Sequence, residues 1–137
     1  MAKVFTGRVT IPGALVEEYC KAMDEAQKAR EPFREQLTAL NAEFHAKLAE
    51  KFSERTARKH SSIVDLFIEF LCRQTDVEQI DEITRGMVNT HFRAWYKRKV
   101  WDSATPNDLR VALKKFFEFL ATEKGIEVPK VLEALKG

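Results

Sequence analysis

Two groups of polar and basic residues carry the chemistry that this sequence offers. Asn107, Arg110 and Lys114 are spaced three and four residues apart, so they share one face of a helix. A second group with similar spacing consists of Arg55, Arg58 and Ser62. Each group lies in the first turns after a hydroxyl residue, where free N–H groups and a partial positive charge suit phosphate. Such side chains grip a DNA backbone and base edges. The alternative is an ordinary solvated helix face.

No arrangement of residues points to catalysis or to a bound metal. The sequence contains no glycine-rich phosphate loop, metal-ligand cluster or paired catalytic group. His45, His60 and His91 are far apart in sequence. Cys20 and Cys72 lie in apolar helical patterns outside any CxxC pair, so we expect two buried free thiols in a reducing compartment. We therefore predict no metal and no cofactor.

Charge is sorted along the chain, although the net charge is only +2. Five basic residues and no acid occur between Arg85 and Lys99, directly after the acidic segment 75–82. Lys97, Arg98 and Lys99 could add non-specific phosphate contacts or form a solvated loop. No apolar run approaches the roughly 18 residues that a membrane span needs, and the N-terminus lacks a signal-peptide core. We expect a cytoplasmic protein without membrane contact.

Helical periodicity and helix-end residues predict an all-α fold for nearly the whole chain. Ile63, Leu66, Phe67, Phe70 and Leu71 follow the spacing of an amphipathic helix after the cap residue Ser53. Thr84 caps a helix with Val88, Phe92, Trp95 and Tyr96. Ser103 or Thr105 caps the next helix, Gly125 ends it, and Pro129 begins a short last helix. We expect Phe67, Phe70, Phe116 and Phe117 to dominate the core.

The N-terminal part, residues 1–52, has a different pattern. Residues 3–11 are a disordered arm or a short hairpin, and Pro32 kinks or restarts a helix that begins near Pro12. Residues 13–52 thus form one long kinked helix or a helix pair. The narrow stripe of Phe33, Leu37, Leu40 and Phe44 resembles a coiled-coil seam. It predicts either self-association with another copy or packing against the chain's own helices.

Three segments, in order, carry a family resemblance: "SERTARKHSSIVDLFIEFL", "IDEITRGMVNTHFRAWYKRK" and "SATPNDLRVALKKFFEFLATEKGIEVP". Residues 53–137 resemble the N-terminal core-binding (SAM-like) domain of tyrosine recombinases, the phage-integrase type. The resemblance implies a small orthogonal bundle of four helices that binds double-stranded DNA in integration or recombination. It divides the chain into an N-terminal arm and helical extension, 1–52, and a DNA-binding domain, 53–137.

In that family, the first and third helices of the domain, counted here from Ser53, present their N-terminal portions to the major groove of DNA. The resemblance implies the following DNA contacts: Arg55, Thr56, Arg58, Ser103, Thr105, Asn107, Arg110 and Lys114. The hydroxyl residues among them could equally serve only as helix caps.

The resemblance does not extend to catalysis. Members of this family cut DNA with a second, C-terminal domain that supplies a tyrosine, arginines and a His-x-x-Arg element. None of the three histidines is followed by arginine three residues later, and we expect Tyr19 and Tyr96 to be core residues. We therefore expect no strand cleavage by this chain alone, whether it is a fragment of a recombinase or a free-standing module. A recombinase catalytic domain, or other copies bound through residues 13–52, are possible partners.

A different class of function competes with DNA binding. The chain could be a helical protein-interaction or oligomerisation module whose basic residues only keep it soluble. Salt-sensitive DNA affinity separates the two, because phosphate contacts release counterions and weaken with salt.

Overall fold

The computed structural model describes residues 12–99 and 104–136, and it confirms the all-α prediction. Its helices are α1 (Val16–Ala29), α2 (Glu31–Ala49), α3 (Glu54–Gln74), α4 (Phe92–Lys99), α5 (Pro106–Glu123) and α6 (Pro129–Leu135). A π-helical segment, Met87–His91, runs directly into α4. The predicted arm or hairpin at 3–11 and the loop residues 100–103 lie outside the described ranges. In the part that the structure describes, no helix is long and apolar enough to cross a membrane.

The helix ends follow the predicted capping residues. The Ser53 hydroxyl accepts a hydrogen bond from the Thr56 backbone N–H at 3.2 Å, and Thr84 accepts one from the Met87 N–H at 3.3 Å. Gly125 follows α5 with a φ of 65°, a left-handed conformation that glycine adopts without steric cost. The π-helical segment was not predicted, since its residues carry the same apolar spacing as an ordinary helix.

The core is built from aromatic side chains of α3, α4 and α5. Phe67 of α3 lies 5.2 Å from Phe92 and 6.2 Å from Phe117 between ring centroids, edge to face in both pairs. Phe70 and Phe116 are also fully buried. The four phenylalanines expected in the core are therefore buried there, together with Phe92, and α6 adds Val131 and Leu135.

Helix α2 belongs to the same core, which decides between the two interpretations of its apolar stripe. Phe44 packs edge to face on Phe116 of α5, with ring centroids 5.4 Å apart. On the α3 side, the Asn41 amide donates to the Ser61 carbonyl at 2.9 Å. Phe33, Leu37, Leu40 and Phe44 are all buried within the chain. Self-association through these residues is therefore wrong, and the intramolecular alternative is correct.

Helix α1 is separated from α2 by a single residue, Arg30, so residues 13–52 contain a helix pair. Pro32 lies in the first turn of α2, where its missing N–H costs nothing. The buried Arg30 guanidinium donates to the Thr75 carbonyl at 2.6 Å and fixes this junction on the end of α3.

The first apolar residues of α1 are exposed, contrary to two predictions, whereas Met23 and Ala26 further along are half-buried. Cys20 is exposed instead of buried, whereas Cys72 is buried as expected. Tyr19 is 36% exposed and is not a core residue, whereas Tyr96 is buried. Helical periodicity identified an apolar face on α1 correctly, but the chain leaves its first turns uncovered and covers Met23 and Ala26 only in part.

Candidate nucleic-acid interface

The first turn of α3 presents the predicted basic residues to solvent. Arg55 and Arg58 are exposed, and Thr56 is half-buried. The Thr56 hydroxyl accepts a hydrogen bond from the Ser53 hydroxyl at 3.1 Å. Arg58 Nη2 lies 3.3 Å from Glu54 Oε1 one turn earlier. Both members of this ion pair are largely exposed, so water and salt weaken it.

The first turn of α5 is held by a reciprocal capping box. The Thr105 hydroxyl accepts from the Asp108 N–H at 3.1 Å, and Asp108 Oδ2 accepts from the Thr105 N–H at 2.9 Å. Thr105 rather than Ser103 caps this helix, and Ser103 lies outside the described residues. Pro106 occupies the first helical position, where proline is favoured.

An ion pair brings the two helix N-termini side by side. Lys59 of α3 donates to Asp108 Oδ1 of α5 at 3.1 Å. Hydrogen bonds from the Thr105 backbone and then from Lys59 hold the pKa of Asp108 below its usual value. Asp108 therefore stays anionic at neutral pH and compensates much of the Lys59 charge.

The groove between these N-termini has a volume of about 650 Å³, and we call it the α3–α5 groove. Its charged lining residues are Glu54, Arg55, Arg58, Lys59 and Asp108. Lys59 forms an ion pair with Asp108. The ion pair of Arg58 with Glu54 is solvent-exposed and therefore weak. Arg55 has no ion pair with any described residue, so Arg55 and Arg58 supply the positive charge available to a ligand.

Arg110 has a structural role that its sequence position did not reveal. Its Nη1 donates to the Leu135 carbonyl at the end of α6 at 2.9 Å, and its Nη2 donates to Asn107 Oδ1 at 2.8 Å. A guanidinium has five N–H donors, so two contacts leave others for a ligand. Asn107 is exposed, and Lys114, one turn beyond Arg110, is half-buried.

Glu54, Lys59 and Asp108 are the charged groove residues that sequence reasoning missed. Lys59 follows Arg55 by four positions, so it shares that helix face and spacing alone could have found it. Asp108 is three residues after the cap Thr105, the position that completes a capping box. The Lys59–Asp108 contact, between residues 49 positions apart, has no local sequence signal.

His60, directly after Lys59 in α3, is buried, with its Nδ1 atom lacking a hydrogen-bond partner among the described residues. Burial, followed by the charges of Lys115 and Lys59, lowers its pKa. The imidazole is therefore neutral at pH 7. Within residues 12–99 and 104–136, no group of three or more His, Cys, Asp or Glu side chains could hold a metal ion.

Comparison with known families gives one match. Residues 42–124, well over half of the chain, match the family described as "Phage integrase, N-terminal SAM-like domain". The match begins within α2 and ends just after α5, so it includes both helix N-termini of the α3–α5 groove. No curated protein and no solved structure matches the chain.

Proposed function

The chain belongs to the phage integrase N-terminal SAM-like domain family, and we propose that it binds double-stranded DNA without cutting it, in integration or recombination. The observation that carries the proposal is the α3–α5 groove, where two hydroxyl-capped helix N-termini lie side by side with Arg55 and Arg58 exposed between them. Helix N-termini and guanidinium groups are the donors that phosphate oxygens require.

The proposed contacts differ in kind. Arg55 and Arg58 bind backbone phosphates, and Arg58 exchanges its exposed Glu54 partner for phosphate at little cost. Asn107 Oδ1 already accepts from Arg110, which leaves the Asn107 amide N–H groups to donate to base acceptors in the major groove. Lys114 and the remaining Arg110 donors extend the contact along α5.

The two described hydroxyl residues contribute in different ways. Thr105 caps α5 and places the free backbone N–H groups of that helix end toward the ligand. Thr56 is not a cap, because its N–H donates to the cap residue Ser53, so Thr56 contributes through its hydroxyl. Ser103, outside the described residues, stays a prediction as a further phosphate contact.

The proposed absence of cleavage rests on the tyrosines and histidines. Tyr96 is buried in the core, and no histidine is followed by arginine at the required spacing. Tyr19 is exposed, so it needs a direct test. Supercoiled plasmid mixed with the protein is expected to stay supercoiled and free of covalently bound protein. Nicking that disappears in Tyr19→Phe would overturn this part of the proposal. The chain would then cut DNA itself, without a separate recombinase catalytic domain.

The main test is fluorescence anisotropy with a labelled duplex of about 30 base pairs at roughly 50 and 200 mM salt. We expect the affinity to fall about a hundredfold or more between the two concentrations, because several phosphate contacts release counterions. Arg55→Gln/Arg58→Gln should make the slope of log affinity against log salt shallower by about 1.8, or 0.9 for each lost contact.

The matched control is Lys21→Gln/Lys28→Gln, which removes the same charge from exposed positions on α1. Its slope should equal that of the unmodified protein. Absence of binding at the lower salt concentration and tens of micromolar protein, or equal slopes for the two variants, would refute DNA binding through this groove.

A second candidate function, self-association, is favoured by the exposed apolar face of α1. Leu15, in the turn directly before α1, is 47% exposed, Val16 at the start of α1 is 44% exposed, and Tyr19 lies one turn further along α1. We propose a second copy of the chain as the partner of this face. The exposed Cys20, beside it, gives a natural site for a bismaleimide cross-linker, whereas Cys72 is buried.

Light scattering should report a dimer that Leu15→Glu/Tyr19→Glu converts to a monomer, with loss of the Cys20 cross-link. A monomeric mass for the unmodified protein at high micromolar concentration would exclude this function. Neither result bears on the anisotropy experiment, so the two candidates are tested independently.

A further inference from the structure

A second groove lies on the other side of the α5 N-terminus, between α5 and α4. It has a volume of about 490 Å³, and we call it the α4–α5 groove. Its lining residues are Arg93, Ala94, Tyr96, Lys97, Ala104, Pro106 and Leu109. Ala104 also lines the α3–α5 groove. The two grooves therefore meet at the residue that precedes the Thr105 cap, and together they form one continuous surface across the start of α5.

The charges of the two grooves differ. The described lining of the α4–α5 groove contains two basic side chains and no acid. Neither Arg93 nor Lys97 forms an ion pair with any described residue. In the α3–α5 groove, by contrast, Lys59 is paired with Asp108, and Arg58 with Glu54. The α4–α5 groove thus contains two basic side chains without an ion pair among the described residues, whereas the α3–α5 groove contains one, Arg55.

The geometry of α4 selects two of its four basic residues. Arg93 and Lys97 are four residues apart, so they lie on one face with a rise of about 6 Å between them. Arg98 and Lys99 are exposed but do not line the groove. The α4 helix therefore divides its charge between a pair that faces the groove and a pair that does not.

We propose that Arg93 and Lys97 bind backbone phosphates of the same duplex whose other contacts are in the α3–α5 groove. The duplex then lies across the α5 N-terminus, with phosphate contacts on both sides of it. This inference rests on the proposed DNA binding and adds residues that neither the capping pattern nor the N-terminal position of a helix would select. The small apolar floor of Ala94, Ala104 and Pro106 offers no carboxylate to repel a phosphate.

The test compares two double variants of the same helix. Arg93→Gln/Lys97→Gln removes the pair that lines the groove, and Arg98→Gln/Lys99→Gln removes the same charge from adjacent positions. In the anisotropy titration, we expect the first variant to lower the salt slope by about 1.8. Its affinity at low salt should fall at least tenfold. The second variant should change the affinity less than threefold and leave the slope within about 0.5 of the unmodified value. The reason is that Arg98 and Lys99, although solvent-exposed, do not line either groove, and salt screens their charges.

Arg93 is half-buried, so its replacement could weaken folding. Two further variants keep the test decisive. Lys97→Gln alone changes an exposed residue and should lower the slope by about 0.9. Arg93→Lys/Lys97→Arg keeps both charges and should retain the unmodified slope. Thermal unfolding followed by circular dichroism establishes that each variant is folded at the temperature of the titration.

The outcomes separate this inference from the proposed function. If the unmodified protein binds DNA and Arg55→Gln/Arg58→Gln weakens it, but Arg93→Gln/Lys97→Gln binds normally, the α4 contact is wrong and DNA binding stands. Equal losses in the two α4 double variants would show a general charge effect and would also overturn the α4 contact. If the unmodified protein does not bind DNA, both the proposed function and the α4 contact are wrong. An acidic protein segment would then be the next ligand to test for the two grooves.

Discussion

Replacing Phe44 by alanine tests whether α2 and the helices after Ser53 fold as one unit. The predicted boundary between residues 52 and 53 separates α2 from the rest, yet the Phe44 ring lies 5.4 Å from Phe116 and 5.6 Å from Phe119, both on α5. Phe44 is only 2% exposed. The change therefore removes a ring from the contact between the two parts without touching the basic residues of the α3–α5 groove.

The expected cost follows from this burial. Truncating a buried phenylalanine to alanine costs about 3–5 kcal/mol, because transfer free energy is lost and a cavity remains. With a urea dependence of roughly 2 kcal/mol per molar, the midpoint of unfolding should fall by about 1.5–2.5 M. That is a large share of the roughly 5–15 kcal/mol that stabilises a typical domain.

Urea unfolding followed by tryptophan fluorescence is the suitable assay, because both tryptophans, Trp95 and Trp101, come after residue 53. Their signal therefore reports on the part of the chain that does not contain Phe44. Lys21→Ala, at an exposed position on α1, is the control and should change stability by less than about 0.5 kcal/mol. If Phe44→Ala leaves the urea midpoint of the tryptophan fluorescence unchanged, the shared core is refuted. A domain boundary between residues 52 and 53 would then be favoured.

Three further changes test the supports of the site. Thr105→Ala removes the acceptor of the α5 capping box and should cost about 1 kcal/mol in urea unfolding, whereas Thr105→Ser should cost little. Arg110→Ala removes the hydrogen bond to the Leu135 carbonyl and should cost about 1–3 kcal/mol, with faster hydrogen exchange in α6. Burial, and then the nearby lysines, lower the pKa of His60, so the unfolded chain takes up its proton first. Stability should therefore be full above about pH 6.5, fall as the pH drops below that value, and level off below the folded-state pKa. In the His60→Gln variant, the urea midpoint of unfolding should depend less on pH between about pH 7 and 5.

Each of these expectations has an outcome that contradicts it. A Thr105→Ala protein as stable as Thr105→Ser would show that the cap contributes nothing. Unchanged exchange in α6 after Arg110→Ala would show that the Leu135 contact does not hold that helix. Parallel pH profiles for the unmodified and His60→Gln proteins between about pH 7 and 5 would show that His60 does not cause the pH dependence. Glu69 does not interfere with this test, because its lowered pKa acts in a more acidic range.

The helices and their ends were predictable because the signals are local. Ser53, Thr105 and Gly125 act on backbone groups within a few residues, so their effects do not depend on the rest of the fold. The buried faces of α3 and α5 were predictable for a related reason. Their apolar stripes are broad, and burying them is the only way to remove them from water.

The surroundings of the site were less predictable. The family resemblance indicated that α3 and α5 supply the DNA contacts, and the structure brings their N-termini together; contact with DNA stays a prediction. The Lys59–Asp108 ion pair joins positions 49 residues apart, and the Arg110 contact with Leu135 spans 25. Local spacing contains no information on such pairs, so Arg110 was assigned to DNA without its role in holding α6.

The sequence by itself determined which residues are helical, where most helices begin and end, and which face of each is apolar. Only the tertiary structure decided what covers each apolar face. Helices α1 and α2 both carry an apolar stripe, yet Phe44 is buried against Phe116 while Val16 and Tyr19 remain exposed. The physical reason is that periodicity follows from the geometry of a single helix. Burial depends instead on which other helix comes within van der Waals contact, and that is set by the packing of the whole chain.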